Sequence, residues 1–200
     1  MSGADTESED LDTEDLIMRA TYRALCEHGY PATSISKIAD EFEKSKALLY
    51  HHYDDKEDLL AHFLTYLLDQ YETELEQNLP TEPQPRLKAI VEQALPDPGD
   101  SEEFQFRRAL LELRSQAPYH ETYHDQFVHS DELILRELRE TIEAGIEADE
   151  FRDVNPAETA QFLYTLMYGA LERDVTLGEE AVIELTREQI NTYIDENIYR

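Results

Sequence analysis

The chain has 200 residues and a mass of 23.3 kDa, enough for one medium-sized domain or for a small domain joined to a larger one. Hydrophobic residues make up 40% of it, which excludes a disordered polyelectrolyte although 46 acidic and 17 basic side chains give a net charge of -29. No apolar run is long enough to cross a bilayer, the N-terminus lacks the features of a secretion signal, and the single Cys26 excludes an internal disulfide. We therefore expect a folded, strongly acidic, cytoplasmic protein.

The acidic charge is distributed unevenly. Residues 16–60 carry six basic and eight acidic side chains, whereas the rest of the chain carries a charge of -27. Four of the five lysines lie between positions 37 and 56. Acids spread over many helices, rather than gathered in a tail, are typical of proteins adapted to a salt-loaded cytoplasm; an acidic protein that binds a protein partner is the alternative.

The first third of the chain is predicted to contain three helices. Apolar residues recur at spacings of three and four along almost the whole sequence, which predicts an all-α fold. We expect residues 1–12 to be a disordered acidic tail, followed by a helix from Thr13 to His28 that ends at Gly29 in a left-handed conformation. Thr33 is expected to cap a short second helix, and Ser45 to cap a third.

Longer helices are predicted beyond this point. A helix from Asp55 toward Asn78 has a broad apolar face and ends before Pro80. Loops are expected at residues 81–85 and 96–100, where proline and glycine gather. Further helices are predicted at residues 86–95, 101–116, 118–148, 156–173 and 179–197. The fourth of these begins with the helix-capping pattern of Asn155, Pro156 and Glu158.

The stretch from Ile17 to Leu60 contains a series of short landmarks in a fixed order. They are Gly29-Tyr30, Thr33-Ser34-Ile35, Ile38-Ala39, Ser45-Lys46, Leu49-Tyr50, His52-Tyr53, Lys56-Glu57 and Leu59-Leu60. In residue type and spacing, this stretch strongly resembles the N-terminal DNA-binding domain of the TetR/AcrR family of transcription regulators. One departure is Glu43, which stands in the turn where the family usually has a glycine.

The resemblance implies a fold and a function. The fold would be an N-terminal three-helix helix-turn-helix domain, here residues 13–58, followed by a C-terminal helical domain for effector binding and dimerisation, residues 59–200. The function would be that of a ligand-responsive transcription regulator, most often a repressor, that binds a palindromic DNA operator as a homodimer. An acidic all-helical adapter that binds proteins and not DNA is the alternative.

The helix-turn-helix pattern indicates which residues would face DNA. An inner face of Ile35, Ile38, Ala39, Phe42, Leu49 and Tyr53 would pack the two short helices together, leaving Lys46, Ala47, Leu48 and His51 outside. Thr33, Ser34 and Ser45 lie at helix N-termini, where free backbone N–H groups can hold a phosphate. The resemblance adds Tyr50 and Lys56 as phosphate contacts and assigns Lys46, Ala47 and Leu48 to base edges.

Candidate effector and dimer residues lie in the C-terminal helices. By resemblance, the core there encloses an effector pocket, for which the candidates are Phe104, Arg108, Leu111, Tyr123, Phe127 and Met167. The arginine could pair with an anionic group of the effector. The last two predicted helices are too apolar for a monomer surface, and we expect a four-helix dimer interface that includes Leu163, Met167, Leu171, Leu185 and Tyr193.

Enzymatic and metal-binding alternatives have weaker support. No phosphate loop, nucleophile elbow or HExxH motif occurs, so we expect no enzymatic activity and no cofactor. His120 and His124 lie one helical turn apart, as in a two-histidine metal site, but no third ligand can be identified. We therefore predict no metal site, while binding at this histidine pair stays an open alternative.

Overall fold

The computed structural model describes residues 4–42, 46–96, 101–179 and 181–200. The helices within these ranges are α1 (Ala4–Ala32), α2 (Ile35–Glu41), α3 (Lys46–His52), α4 (Lys56–Asn78), α5 (Pro83–Ala94), α6 (Ser101–Arg114), α7 (Glu121–Glu147), α8 (Pro156–Leu177) and α9 (Ala181–Tyr193). A 3-10 turn covers Ala117–Tyr119 and a π-helical turn covers Ile194–Ile198. The described residues form no strand beyond one isolated bridge, between Phe151 and Tyr199. The predicted all-α fold is confirmed.

Several helix ends differ from the prediction. Helix α1 begins at Ala4 rather than Thr13, while the predicted disorder of residues 1–12 stays a prediction. Helix α5 begins at Pro83, inside the predicted loop, because a proline in the first helical turn removes an N–H that needs no partner there. The helix predicted from Pro118 is instead a separate 3-10 turn followed by α7.

The predicted cap of α8 is confirmed. The Asn155 side-chain oxygen accepts hydrogen bonds from the backbone N–H groups of Ala157 and Glu158, at 3.1 and 3.3 Å. The helix ends at Gly178, whose left-handed backbone (φ 66°, ψ 32°) lets its N–H bond to the Asp174 carbonyl. These caps satisfy backbone groups that a helix leaves free at its ends.

The chain divides into two compact units. The first comprises Met1–Asp69 and Asp100–Gln126, and the second comprises Gln70–Gly99 and Phe127–Arg200. In the first unit α6 packs on α1, and the Phe106 ring lies 4.4 Å from that of Tyr22 between centroids. This packing places α6 with the N-terminal helices, so the units do not divide at residues 58 and 59. The extent of the DNA-binding domain itself stays a prediction.

The second unit is held together by apolar packing and a few specific bonds. Leu163 and Ile190 are fully buried, and Arg86 donates a 2.6 Å hydrogen bond to Glu137. Near the C-terminus, the Tyr199 hydroxyl donates to the Gln84 carbonyl at 3.0 Å. No helix among the described residues is both long and apolar enough to span a membrane.

Candidate nucleic-acid interface

The first three helices share a well-packed interior. Ile17 and Leu25 of α1, Ile38 of α2 and Leu49 of α3 are all 0% exposed. Arg23 of α1 also donates a 2.8 Å hydrogen bond to the Glu41 carbonyl at the end of α2. This bond was not predicted from sequence. Helix α2 is thus fixed to α1 both by its apolar face and by a bond at its C-terminal end.

Helix α3 has two distinct faces. Leu49 is fully buried and Tyr53, four residues later, is 6% exposed. Ala47, Tyr50 and His51 are exposed, and the spacing of three and four puts them on the opposite face. Leu48 is half-buried between the two faces. A short helix with a polar, small-residue outer face held by a packed inner face suits insertion into a DNA groove.

Some predicted contacts fall outside the part of the chain that the structure describes. Glu43 and Ser45 lie in residues 43–45, outside the described residues, and so does the predicted Ser45 cap. The backbone of Lys46 begins α3, but its side chain is also outside the described part. Their expected roles in the turn and at the bases stay predictions.

The predicted cap of α2 was wrong by one residue. Ser34 is the N-cap, and its hydroxyl oxygen accepts the Lys37 backbone N–H at 3.3 Å. Thr33 is only 3% exposed, and its hydroxyl lies within hydrogen-bond distance of the Gly29 and Ala24 carbonyls. That hydroxyl serves the end of α1, and the Thr33 backbone N–H also donates to the Gly29 carbonyl at 3.1 Å; the phosphate contact of Thr33 stays a prediction.

Gly29 ends the regular part of α1. Its φ of 70° confirms a positive angle, but its ψ of 169° belongs to an extended region open almost solely to glycine, and not to the left-handed helical one. A side chain here would also meet Glu112 of α6, since a Cβ atom would lie 2.9 Å from its carboxylate oxygen. The break lets the next residue, Tyr30, turn its backbone N–H toward that carboxylate, at 2.9 Å.

Lys56 serves an internal role that the sequence did not predict. Its ammonium donates to the Tyr30 carbonyl at 2.7 Å and lies 4.0 Å from the centre of the Tyr30 ring. Burial lowers the pKa of Lys56, and the charge of Glu57 acts in the opposite direction. The ammonium has two further donors for a phosphate, but its first bond holds the start of α4 to the end of α1.

The predicted effector residues are divided between the two units. Phe104, Arg108 and Leu111 are half-buried on α6, and Tyr123 is 1% exposed with its hydroxyl donating to the Glu57 carbonyl at 3.2 Å. Burial raises the pKa of Tyr123. Phe127 and Met167 belong to the second unit, where Met167 is also 1% exposed. Their common role in a pocket stays a prediction.

The residues of the predicted dimer surface differ in exposure. Leu163 and Met167 are 0% and 1% exposed within a single chain and pack in its core, and their contact with a partner stays a prediction. Phe162 and Leu166, one position earlier in the helical repeat of α8, are exposed, and so is Leu177 at the end of the helix. On α9, the predicted Leu185 is 58% exposed. The predicted Tyr193 and Leu171 are half-buried, and the Tyr193 ring packs on Phe162 at 4.9 Å between centroids.

The two histidines of the metal hypothesis have other neighbours. The His120 ring packs on Tyr123 at 4.9 Å between centroids, and His124 Nδ1 lies 3.2 Å from the Asp125 carboxylate. Among the described residues, no group of three or more His, Cys, Asp or Glu side chains is arranged to hold a metal ion.

Together, the packed α1 and α2 and the exposed face of α3 define a helix-turn-helix protein of the DNA-binding class. Two family models match the chain. The one described as "Bacterial regulatory proteins, tetR family" matches residues 17–63, and "BetI-type transcriptional repressor, C-terminal" matches residues 83–198. The chain belongs to the TetR family of transcription regulators. Members of this family bind DNA and small-molecule effectors and form dimers.

Individual relatives agree with this assignment. A TetR transcription regulator from Haloarcula marismortui ATCC 43049 is 39% identical, and the match covers 94% of this chain and 98% of that one with a TM-score of 0.86. A regulator from Saccharomonospora viridis, solved in complex with choline, shares the fold at 23% identity, 94% and 98% coverage and a TM-score of 0.81. The HTH-type transcriptional regulator HbdR from Aromatoleum sp. (strain CIB) is 39% identical over 59 residues, which are 30% of this chain and only 26% of that relative.

Proposed function

We propose that the protein is a cytoplasmic, homodimeric repressor that releases a palindromic DNA operator when it binds a small-molecule effector. The observation that carries this proposal is the outer face of α3, where Ala47, Tyr50 and His51 are exposed opposite the buried Leu49. Two copies of this helix, related by a two-fold axis, would read two half-sites about one helical turn of DNA apart.

The contacts can be assigned by residue type. Lys46, Ala47 and Leu48 would meet base edges and thymine methyl groups, because they begin the helix that enters the groove. Ser34, Ser45, Tyr50 and His51 would contact phosphates from the helix ends and the outer face. Lys56 would add a phosphate contact through donors that its bond to Tyr30 leaves free. Thr33 is omitted because its hydroxyl bonds within the protein.

Dimerisation would use a surface on the last two helices. This α8–α9 surface consists of Phe162, Leu166, Gly169, Leu185 and Tyr193, and its three largest exposed apolar side chains are 37% to 58% exposed. A Cβ atom at Gly169 would meet nothing within 4 Å, so a second helix could approach closely there. Apolar groups exposed on adjacent helices favour burial against an identical pair in a two-fold four-helix bundle.

The response to effector would pass through bonds inside the first unit. Glu112 of α6 holds the Tyr30 N–H at the end of α1, and Tyr123 of α7 holds the Glu57 carbonyl at the start of α4. An effector near α6 and α7 that changes either bond would reorient α1 or α4, and with them the spacing of the two α3 helices. The effector thereby shifts the population away from the operator-binding state.

A mobility-shift assay tests the proposal. The full chain in molar potassium chloride should retard DNA from upstream of its own gene. The substitution Ala47→Glu should abolish retardation because it puts a carboxylate against the DNA, whereas Ala144→Glu, on an exposed site in the last turn of α7, should not. Retardation that is absent for the parent chain, or equal for both variants, would contradict the proposal and favour the acidic adapter.

A further inference from the structure

Helix α6 has two opposite faces. Phe106, Ala109 and Leu113 share one face; Ala109 and Leu113 are fully buried, and Phe106 packs on the rings of Tyr22 and Phe63. The helical repeat puts Phe104, Arg107, Arg108 and Leu111 on the other face, and all four are half-buried. Three of these four are predicted effector residues, and the sequence analysis missed Arg107.

The nitrogen atoms of Arg107 are in an unusual situation. Its Nε and Nη1 atoms are buried, and neither has a hydrogen-bond partner. The Nε atom of Arg108 is also buried and unbonded, and it lies 3.8 Å from Glu112 Oε1, too far for a hydrogen bond. A buried guanidinium N–H without an acceptor is unfavourable, even where the rest of the side chain is partly exposed.

These unbonded atoms are confined to one region. In the part of the chain that the structure describes, the buried side-chain nitrogen and oxygen atoms without a partner belong to Arg107, Arg108 and Gln126. Arg107 and Arg108 are on α6, and Gln126 lies near the start of α7, between the predicted effector residues Tyr123 and Phe127. The buried donor and acceptor atoms without a partner therefore lie on the helices that carry most of the predicted effector residues.

We propose that Arg107, assisted by Arg108, binds an anionic group of the effector, a carboxylate or a phosphate ester attached to an apolar body. This inference rests on the proposed effector response and names its ligand class. A planar guanidinium can give two parallel N–H bonds to either group, from Nη1 and Nη2 or from Nε and Nη2, so a bound anion would supply an acceptor to one of the two unbonded atoms. The apolar body would lie against Phe104 and Leu111, which share the same face of α6. A cation would be repelled by both arginines.

The test compares four six-carbon probes at one fixed potassium chloride concentration. Hexanoate, hexyl phosphate, hexanol and hexylammonium share an apolar chain but differ in the charge of the head group. At least one of the two anions should raise the midpoint of thermal unfolding of the full chain as its concentration increases. Hexanol and hexylammonium should not. Equal stabilisation by hexanol, or no stabilisation by either anion, would overturn the proposal.

Variants then identify the residue. Arg107→Met should weaken calorimetric binding of the active anion at least about thirtyfold, as expected for removal of a buried charge partner. Arg107→Lys should retain part of the binding, and it guards against misfolding of the methionine variant. Arg139→Met, which removes an arginine from an exposed ion pair with Glu143, is the matched control and should bind normally. Unchanged binding by Arg107→Met would overturn the proposal.

The anion site and the proposed function can fail separately. Binding of the probes is measured without DNA, and operator binding is measured without a probe. If the parent chain retards no DNA but binds hexanoate through Arg107, the regulator proposal fails and the anion site stands. If it retards DNA but responds to no anion, the anion site is wrong and the regulator proposal stands.

Discussion

The Glu112 carboxylate accepts the backbone N–H of Tyr30 at 2.9 Å, although the two residues are 82 positions apart in the chain. Tyr30 follows the break at Gly29, so its N–H has left the regular bonding of α1. On its other side, the Tyr30 carbonyl accepts the Lys56 ammonium. The peptide groups of Tyr30, near the end of α1, are therefore bonded to a charged side chain of α6 and to a charged side chain of α4.

Removal of the Glu112 carboxylate should destabilise the fold and impair the proposed regulation. Glu112→Ala leaves the Tyr30 N–H without its acceptor, and we expect a loss of about 1–2 kcal/mol in the free energy of unfolding, toward the low end because the carboxylate is 33% exposed. Glu112→Gln keeps an acceptor oxygen and should lose less. Chemical denaturation measures these changes. Glu92→Ala, which removes the carboxylate of an exposed ion pair, is the control. Equal losses of unfolding free energy in Glu92→Ala and Glu112→Ala would contradict the prediction.

A side chain at Gly29 should be destabilising for two separable reasons. Gly29→Ala imposes the backbone strain of φ 70° and ψ 169°, about 1–3 kcal/mol, and adds a Cβ atom 2.9 Å from a Glu112 oxygen. Gly178→Ala, at φ 66° with nothing within 4 Å of its Cβ, shows the cost of a positive φ without a close contact.

A double-mutant cycle separates the two contributions. If the contact with Glu112 matters, Gly29→Ala combined with Glu112→Ala should lose less stability than the sum of the single losses, by more than about 0.5 kcal/mol. Strict additivity would show that backbone strain alone opposes a side chain at this position.

Much of the fold was predictable because a helix leaves its pattern in residues that are close together in the sequence. The apolar spacing of three and four, the Asn155 cap and the break at Gly29 each depend on residues close in sequence. The packing of α6 on α1 was not predictable in this way. It depends on Phe106 meeting Tyr22, more than 80 positions earlier, and no local pattern encodes which helix an apolar face will meet.

The sequence predicted which residues belong to the candidate site better than it predicted what each of them does. The exposed face of α3 follows from its period, whereas the internal bond of Lys56 and the buried hydroxyl of Thr33 depend on the three-dimensional course of the chain around Gly29 and Tyr30. On α8, the sequence pattern of apolar residues is the same whether a side chain faces the core of its own subunit or a partner subunit. Leu163 and Phe162 therefore could be distinguished only in the structure.

That adjacent pair provides a sharp test of the dimer. Phe162 is 44% exposed, so Phe162→Glu should give a folded monomer with much weaker operator binding. Leu163 is 0% exposed, so Leu163→Glu should instead unfold the subunit by burying an unpaired charge. Light scattering and far-UV circular dichroism in high salt distinguish the results. Tyr119→Glu, at a site 80% exposed in the first unit, should stay dimeric. A dimeric Phe162→Glu protein would show that the α8–α9 surface is not the interface.

Alkaline pH should destabilise the second unit through Tyr71. Burial, together with the charges of Glu137 and Glu74, raises the pKa of Tyr71 from 10.0 to about 12. The folded state keeps the phenol neutral while the unfolded state ionises, so stability present below pH 10 should be lost between about pH 10 and pH 12, by about 2–3 kcal/mol. Urea unfolding across this range measures the loss. Tyr71→Phe should make it smaller and Tyr119→Phe should not; equal slopes for the two variants would contradict the assignment.

Salt should affect this protein differently from an ordinary DNA-binding protein. Outside residues 16–60 the chain carries a charge of -27, and Lys56, one of its few lysines, is flanked by Asp54, Asp55, Glu57 and Asp58. Few phosphate contacts can then release counterions, whereas repulsion between the acidic protein and DNA is large and is screened by salt.

We therefore expect operator affinity to change little, or to rise at first, as potassium chloride increases from about 0.1 M, where the Debye length is about 10 Å, to multimolar concentrations. A protein with 6 to 10 phosphate contacts would instead lose roughly three to five decades of affinity over a fourfold rise in salt. Self-repulsion should also make the fold weaken at low salt, visible as a loss of helical circular dichroism. Fluorescence anisotropy with operator DNA measures the affinity in the same samples. A steep loss of affinity with a fold that is intact at low salt would show that the acidity is not an adaptation to salt, because neither the binding nor the folding would then depend on screening.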